Sequence, residues 1–141
     1  ISELFEQVGS KQAEMQGAAK ISVKVQYVQI YNEKVYDLLV HKSQSKDIGK
    51  RKGLKVKIHA NGEEATIENV YNFDCHDERE ALKYFHKGLS NKAVSSHSLN
   101  QVSSRSHSIL TFIVEQEDLT QGDTPNIISK LRLVDLAGSE R

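Results

Sequence analysis

The stretch "NQVSSRSHSIL" (Asn100–Leu110) sets Ser103, Ser104 and Ser106 around Arg105, adds His107, and runs straight into apolar residues. Serine hydroxyls are short donors and acceptors that reach phosphate oxygens, a metal-bound water or an attacking water. Arginine supplies a planar, permanently charged fork for a phosphate or a carboxylate. Asn100 and His107 equally suit loop capping. Outward from this stretch, "ILTFIVEQ" (Ile109–Gln116) reads as a strand. A turn-rich connection, Asp118–Asn126, carries the chain's single proline and leads to a second strand, "IISKLRLVDLAG". The two strands read as an antiparallel pair joined by an exposed loop.

The second strand carries the other chemical signal, "LRLVDLAGSER". Leu131, Leu133 and Val134 lead to Asp135, and Gly138 follows three positions later. In α/β sheets, ligands sit at the carboxyl ends of strands. A carboxylate there can reach Mg²⁺ through water, because that ion keeps much of its hydration shell. A glycine just beyond lets a backbone N–H approach a phosphate with no side chain in the way. Each motif alone also fits a plain reading: a serine-rich surface loop, and a strand that ends in a simple turn.

The bulk numbers set the class. A length of 141 residues suits one domain or part of a larger one. Apolar residues make up 38% and charged residues 27%, so a folded globular chain is the expectation rather than disorder. Lys plus Arg balances Asp plus Glu at 19 each, which argues against a generic nucleic-acid or membrane-surface binder. One cysteine, Cys75, excludes an internal disulfide and an all-cysteine zinc site. No apolar run approaches the roughly 18 residues of a membrane span. His41, His59, His76 and His86 show no metal-ligand spacing.

Earlier in the chain, Ile1, Leu4, Phe5 and Val8 recur on one helical face. "GSKQAEMQGAAK" (Gly9–Lys20) reads as a loop. "ISVKVQYVQIYN" alternates at Ile21, Val23, Val25 and Tyr27, then changes phase at Val28 and Ile30, which predicts a long, mostly buried strand. "EKVYDLL" reads as a short helical turn packed on the sheet. Between Lys42 and Lys57 seven basic residues face one acid, Asp47, which suits a solvated loop running into a small strand, "LKVKI". Asn61-Gly62 predicts a hairpin turn. Asp77 and Glu80 form a capping-box-like start for a helix with Ala81, Leu82, Phe85 and Leu89 on one face, and Gly88 near its stop.

Taken together, "NQVSSRSH", a strand, and "DLAGSER" resemble the kinesin motor-domain family. The first matches its switch I pattern, Asn-x-x-Ser-Ser-Arg-Ser-His, and the second its switch II pattern, Asp-Leu-Ala-Gly-Ser-Glu. "VQIYNEKVYDLL" (Val28–Leu39) looks like that family's long strand and the turn after it. The resemblance covers the whole chain and is weakest around His41–Gly53. It implies an α/β fold: part of a three-layer α/β/α motor domain with a mixed central sheet. It implies ATP and Mg²⁺ as ligands, microtubules (tubulin) as partner, and a cytoplasmic, cytoskeletal setting, with oligomeric state set by other regions.

Residue by residue, the resemblance implies that Asn100 touches the γ-phosphate region. Ser103 and Ser104 contact the magnesium shell and the lytic water. Asp135 holds magnesium through water, and Gly138 senses the γ-phosphate by its N–H. Arg105 and Glu140 form an ion pair that latches the two switches. This agrees with the physics of phosphoryl transfer, which needs positioning and charge stabilisation more than covalent chemistry.

Two departures stand out: His97 where the family often has Thr, and Lys92 where it often has Arg. They mark a subfamily, with kinesin-9 as the suggestion. No G-x-x-x-x-G-K-[S/T] occurs in these residues, and both ends read as cuts in a longer chain. The expectation is therefore a piece of a motor that folds poorly and does not hydrolyse ATP alone. Three rivals stand beside it. One is a kinesin-like microtubule binder without turnover. Another is a hydrolase built from His107, Asp135 and a serine, for which no G-x-S-x-G elbow exists. The third is an interaction module that uses the basic segment.

Overall fold

The computed structural model describes residues 1–40, 51–97, 102–120 and 122–138. Helix α1 (Ser2–Glu14) is followed by strands β1 (Ala19–Tyr31), β2 (Lys34–Asp37), β3 (Val56–Ile58), β4 (Ala65–Ile67) and β5 (Phe73–Asp74). Helix α2 (Glu78–His97), a 3-10 turn at Ser103–Arg105, and strands β6 (His107–Asp118) and β7 (Ile127–Asp135) complete the order. The main sheet runs β2-β1-β6-β7, with β5 also on β1, and every described pair in it is antiparallel.

The alternation of β1 places Val23, Val25 and Tyr27 on one face, opposite Val114, Phe112 and Leu110 of β6. Val25 and Phe112 are fully buried. Both helices cover this face. Ile1, which caps α1, Leu4, Phe5 and Val8 of α1, and Ala81, Tyr84 and Phe85 of α2 pack on the same cluster. The described residues thus supply the sheet and one helical layer. The phase change expected at Val28 is real: Tyr27, Val28 and Gln29 are all buried, so β1 is covered on both faces there. In contrast, β7 is exposed along its whole length, Leu131, Leu133 and Val134 included.

Two local expectations change ahead of β3. The Gly9–Lys20 loop is helical through Glu14, because Lys11, Gln12, Ala13 and Glu14 are good helix formers. The Gln12 amide then pairs with the start of β1, donating to the Ala19 carbonyl (2.7 Å) and accepting from the Ile21 N–H (2.7 Å). "EKVYDLL" is not a helical turn: Lys34–Asp37 pairs with Val28–Tyr31 as a hairpin. Asn32 and Glu33 both take positive φ (49° and 60°), as a two-residue turn of primed type requires.

Helix α2 begins as expected, with the Asp77 carboxylate accepting from the Glu80 N–H at 2.8 Å. Glu80, however, reaches back to the N–H of His76 (2.9 Å) rather than to that of Asp77. The helix also runs past Gly88 to His97. Gly88 serves close packing instead of termination, since a Cβ there would lie 2.0 Å from Cδ1 of Tyr27. The expected hairpin around Asn61-Gly62 is present as β3–β4, with Gly62 at φ 71°.

Candidate functional site

Strand register brings the two motifs together. The serine motif opens β6 and the acidic motif closes β7. In an antiparallel pair the start of one strand lies beside the end of the other, and here Ser108 stands opposite Asp135. Two backbone contacts extend the juxtaposition beyond the sheet. The Gly138 N–H donates to the Ser104 carbonyl at 3.0 Å. The Ala137 N–H donates to Nδ1 of His107 at 2.9 Å. His107 therefore caps the backbone of the opposite motif, one of the roles its sequence position allowed.

Below this edge lies a polar cluster that sequence reading did not assemble. Lys92, on α2, donates to Oδ2 of Asp135 (2.8 Å) and to Oγ of Ser108 (3.2 Å). The Lys92 side chain is 13% exposed and that of Asp135 is 72% exposed, so a mostly buried cation meets an open carboxylate. The Lys92 hydrogen bond holds the Asp135 carboxyl below its ordinary range. Burial pushes the Tyr27 phenol up, opposed by hydrogen bonding with Ser108. Further in, the buried Gln29 amide donates from Nε2 to Oγ of Ser106 at 2.9 Å. Val102, 1% exposed, anchors the 3-10 turn. Ser104 and Arg105 lie at the surface of that turn.

Of the residues singled out from sequence, the structure brings Ser104, His107, Asp135 and Gly138 to one edge of the sheet. Arg105 closes the 3-10 turn, its N–H donating to the Val102 carbonyl at 3.3 Å. Asn100, Glu140 and the side chain of Ser103 lie outside the described residues, and so does the expected Arg105–Glu140 latch. Lys92, noted in the sequence only as a departure, turns out to be the partner of Asp135. Ser108 and Gln29 were missed. The only signal for either was a polar residue at a core-facing position of a strand.

The kinesin motor domain family model matches residues 1–141. This chain belongs to the kinesin motor domain family. Among curated kinesins, it is 35% identical over 122 residues to Kinesin-like protein KIN-12G of Oryza sativa subsp. japonica, covering 86% of this chain and 9% of that protein. It is 40% identical over 118 residues to Kinesin-like protein 3 of Schizosaccharomyces pombe, covering 84% and 19%. It is 37% identical over 121 residues to Kinesin-like protein KIF9 of Mus musculus, covering 86% and 15%. A solved structure of a fast kinesin superposes with a TM-score of 0.79 at 28% identity, covering all of this chain and 37% of that one. The chain thus spans under a fifth of each of these curated kinesins. Kinesin-9 is among the relatives, beside members of other kinesin groups.

Proposed function

We propose that these residues are the nucleotide-sensing part of an ATP-driven microtubule motor, with Asn100–His107 as switch I and Asp135–Glu140 as switch II. The observation that carries the reading is the register of β6 and β7, with its Gly138–Ser104 bond. Two loops that must report one phosphate have to share an edge, and these do.

The donor chemistry fits a hydrated Mg²⁺. Serine hydroxyls and the Asp135 carboxylate are hard oxygen ligands, and the exposure of Asp135 leaves room for a water shell. When bound, the metal would neutralise charge on the phosphate oxygens. Ser103 and Ser104 would hold its shell and position the lytic water, and Asp135 would hold it through water. Asn100 and the Gly138 N–H would meet the γ-phosphate, and Arg105 would pair with Glu140 across the switches.

The two bonds described above suggest how sensing works. The Gly138 N–H now binds Ser104, and the Asp135 carboxylate binds Lys92. For Gly138 to bind a phosphate it must release Ser104, which separates the loops at that point. Nucleotide state would then be read as an exchange of hydrogen-bond partners, a two-state element of the kind that drives mechanical change.

Microtubules are the proposed track, and the cytoplasmic cytoskeleton the proposed setting. No helix among the described residues is long and apolar enough to cross a membrane. No observation favours binding without turnover. The 141 residues alone, which hold no phosphate-gripping G-x-x-x-x-G-K-[S/T], are proposed not to turn over ATP. The test is steady-state ATPase of the full-length protein, with and without microtubules. Mg²⁺-dependent turnover that microtubules accelerate and Asp135→Ala abolishes is expected. Full activity in Asp135→Ala would refute the assignment.

A further inference from the structure

The Gln29 side chain has no exposed surface, yet its carbonyl oxygen has no hydrogen-bond partner among the described residues. Its Nε2 donates to Oγ of Ser106, the residue that joins the 3-10 turn to β6. An acceptor left unpaired in a core is destabilising, and native structures hold few of them. The neighbours of Gln29 in the sheet are Tyr36 on β2 and Ser108 on β6. An apolar side chain would fill the same volume without the penalty, so the amide calls for a reason.

We infer that Gln29 is a positioning residue for hydrolysis, giving Ser106 two alternative seats and the Ser103–Arg105 turn two registers. This rests on the ATPase reading above. A primary amide presents a donor and an acceptor about 2.3 Å apart, as its bond lengths dictate. In the arrangement seen here, Oγ of Ser106 accepts from Nε2. A displacement of Ser106 by about 2 Å along the amide edge lets its hydroxyl donate to Oε1 instead. One hydrogen bond replaces another of similar strength, so the turn moves between discrete positions with no bond lost. The turn bears Ser104, whose carbonyl holds the Gly138 N–H, so a shift at Ser106 reaches the acidic motif directly. Leucine at position 29 would remove both seats. Glutamate would keep only acceptors, leaving the seat into which Ser106 donates.

The test uses the full-length protein with Gln29→Leu, Gln29→Glu, Ser106→Ala and the Gln29→Leu/Ser106→Ala double variant, with Gln29→Met replacing leucine if that variant does not fold. Two quantities are measured: kcat and KM for ATP, and backbone hydrogen exchange over residues 102–108. In Gln29→Leu, kcat is expected to fall on the order of 10-fold, as for a small misplacement of catalytic groups, with KM little changed. Ser106→Ala should match it, and the double variant should be no worse than either single one, because both remove the same contact. Gln29→Glu should lie between wild type and Gln29→Leu. Exchange over 102–108 should accelerate in Gln29→Leu. Unchanged kcat, additive losses, or unchanged exchange would overturn the inference. A wild-type protein without ATPase would refute the motor reading, and the exchange comparison would still decide whether Gln29 seats the turn.

Discussion

Gly88→Ala separates a packing glycine from a helix-ending one. The substitution puts a Cβ 2.0 Å from Cδ1 and 2.4 Å from Cε1 of Tyr27, where carbon atoms normally rest about 3.5–4.0 Å apart. Helix or ring must therefore retreat by about 1.5 Å. The ring has little freedom, being 4% exposed and stacked on Phe85 with centroids 6.2 Å apart. Alanine gains about 1 kcal/mol over glycine in a helix interior, while overpacking costs about 1–3 kcal/mol and occasionally more. Lys92 lies one turn beyond Gly88, and a rigid retreat of α2 carries its 2.8 Å bond to Asp135 past the 4 Å limit of an ion pair. The expected net loss is about 0–2 kcal/mol, larger if that pair breaks. Hydrogen exchange of the α2 amides should accelerate roughly tenfold per 1.4 kcal/mol. Adding Tyr27→Ala should remove the extra cost of the alanine at 88, though that change has its own cavity penalty. Slower exchange in Gly88→Ala, the ordinary result for a helix-interior glycine, would refute the close-packing argument.

Other outcomes follow from the same contacts. Lys92→Met removes the main cause of the lowered Asp135 pKa, so an NMR titration should find that pKa shifted up toward the ordinary 3.8. Because the folded Asp135 pKa is depressed, the pair stabilises the fold above the unfolded value and the gain fades as pH falls through the folded one. Lys92→Met should therefore flatten that acid-side dependence. His76 behaves oppositely: its hydrogen bond with Glu80 raises its pKa, so its contribution is complete below about 6.5 and disappears as pH rises through the folded value. Protection factors of the amides at the start of α2, corrected for the base-catalysed intrinsic exchange rate, should fall over that rise, and His76→Gln should abolish the fall. Asp37→Ala strips acceptors from the N–H groups of Leu39 (2.8 Å) and Tyr71 (3.0 Å) and should cost about 2–3 kcal/mol in urea denaturation.

Local signals in the sequence located the long strands, the Asn61-Gly62 hairpin, the Asp77 cap and both motifs, because alternation, turn chemistry and capping are written in neighbouring residues. The β1–β2 hairpin was hidden because Asn32-Glu33 lacks the glycine that usually marks a primed turn. Gly88 was misread because a stop and a close approach use the same residue, and only the distant Tyr27 ring distinguishes them. The partnership of Lys92 with Asp135 and the burial of Gln29 depend on register and helix placement, which no window of sequence contains. Asp135 and Gly138 were legible as chemistry. Their meeting with Ser104 follows from the antiparallel pairing of β6 and β7.

The most direct test is an experimental structure of the full-length protein with Mg²⁺ and a non-hydrolysable ATP analogue. The terminal phosphate is expected at the edge shared by the serine motif and Gly138, with Asp135 on a water of the metal and the Gly138–Ser104 bond exchanged for one to phosphate. A nucleotide bound elsewhere, or a Gly138–Ser104 bond unchanged beside it, would contradict the account.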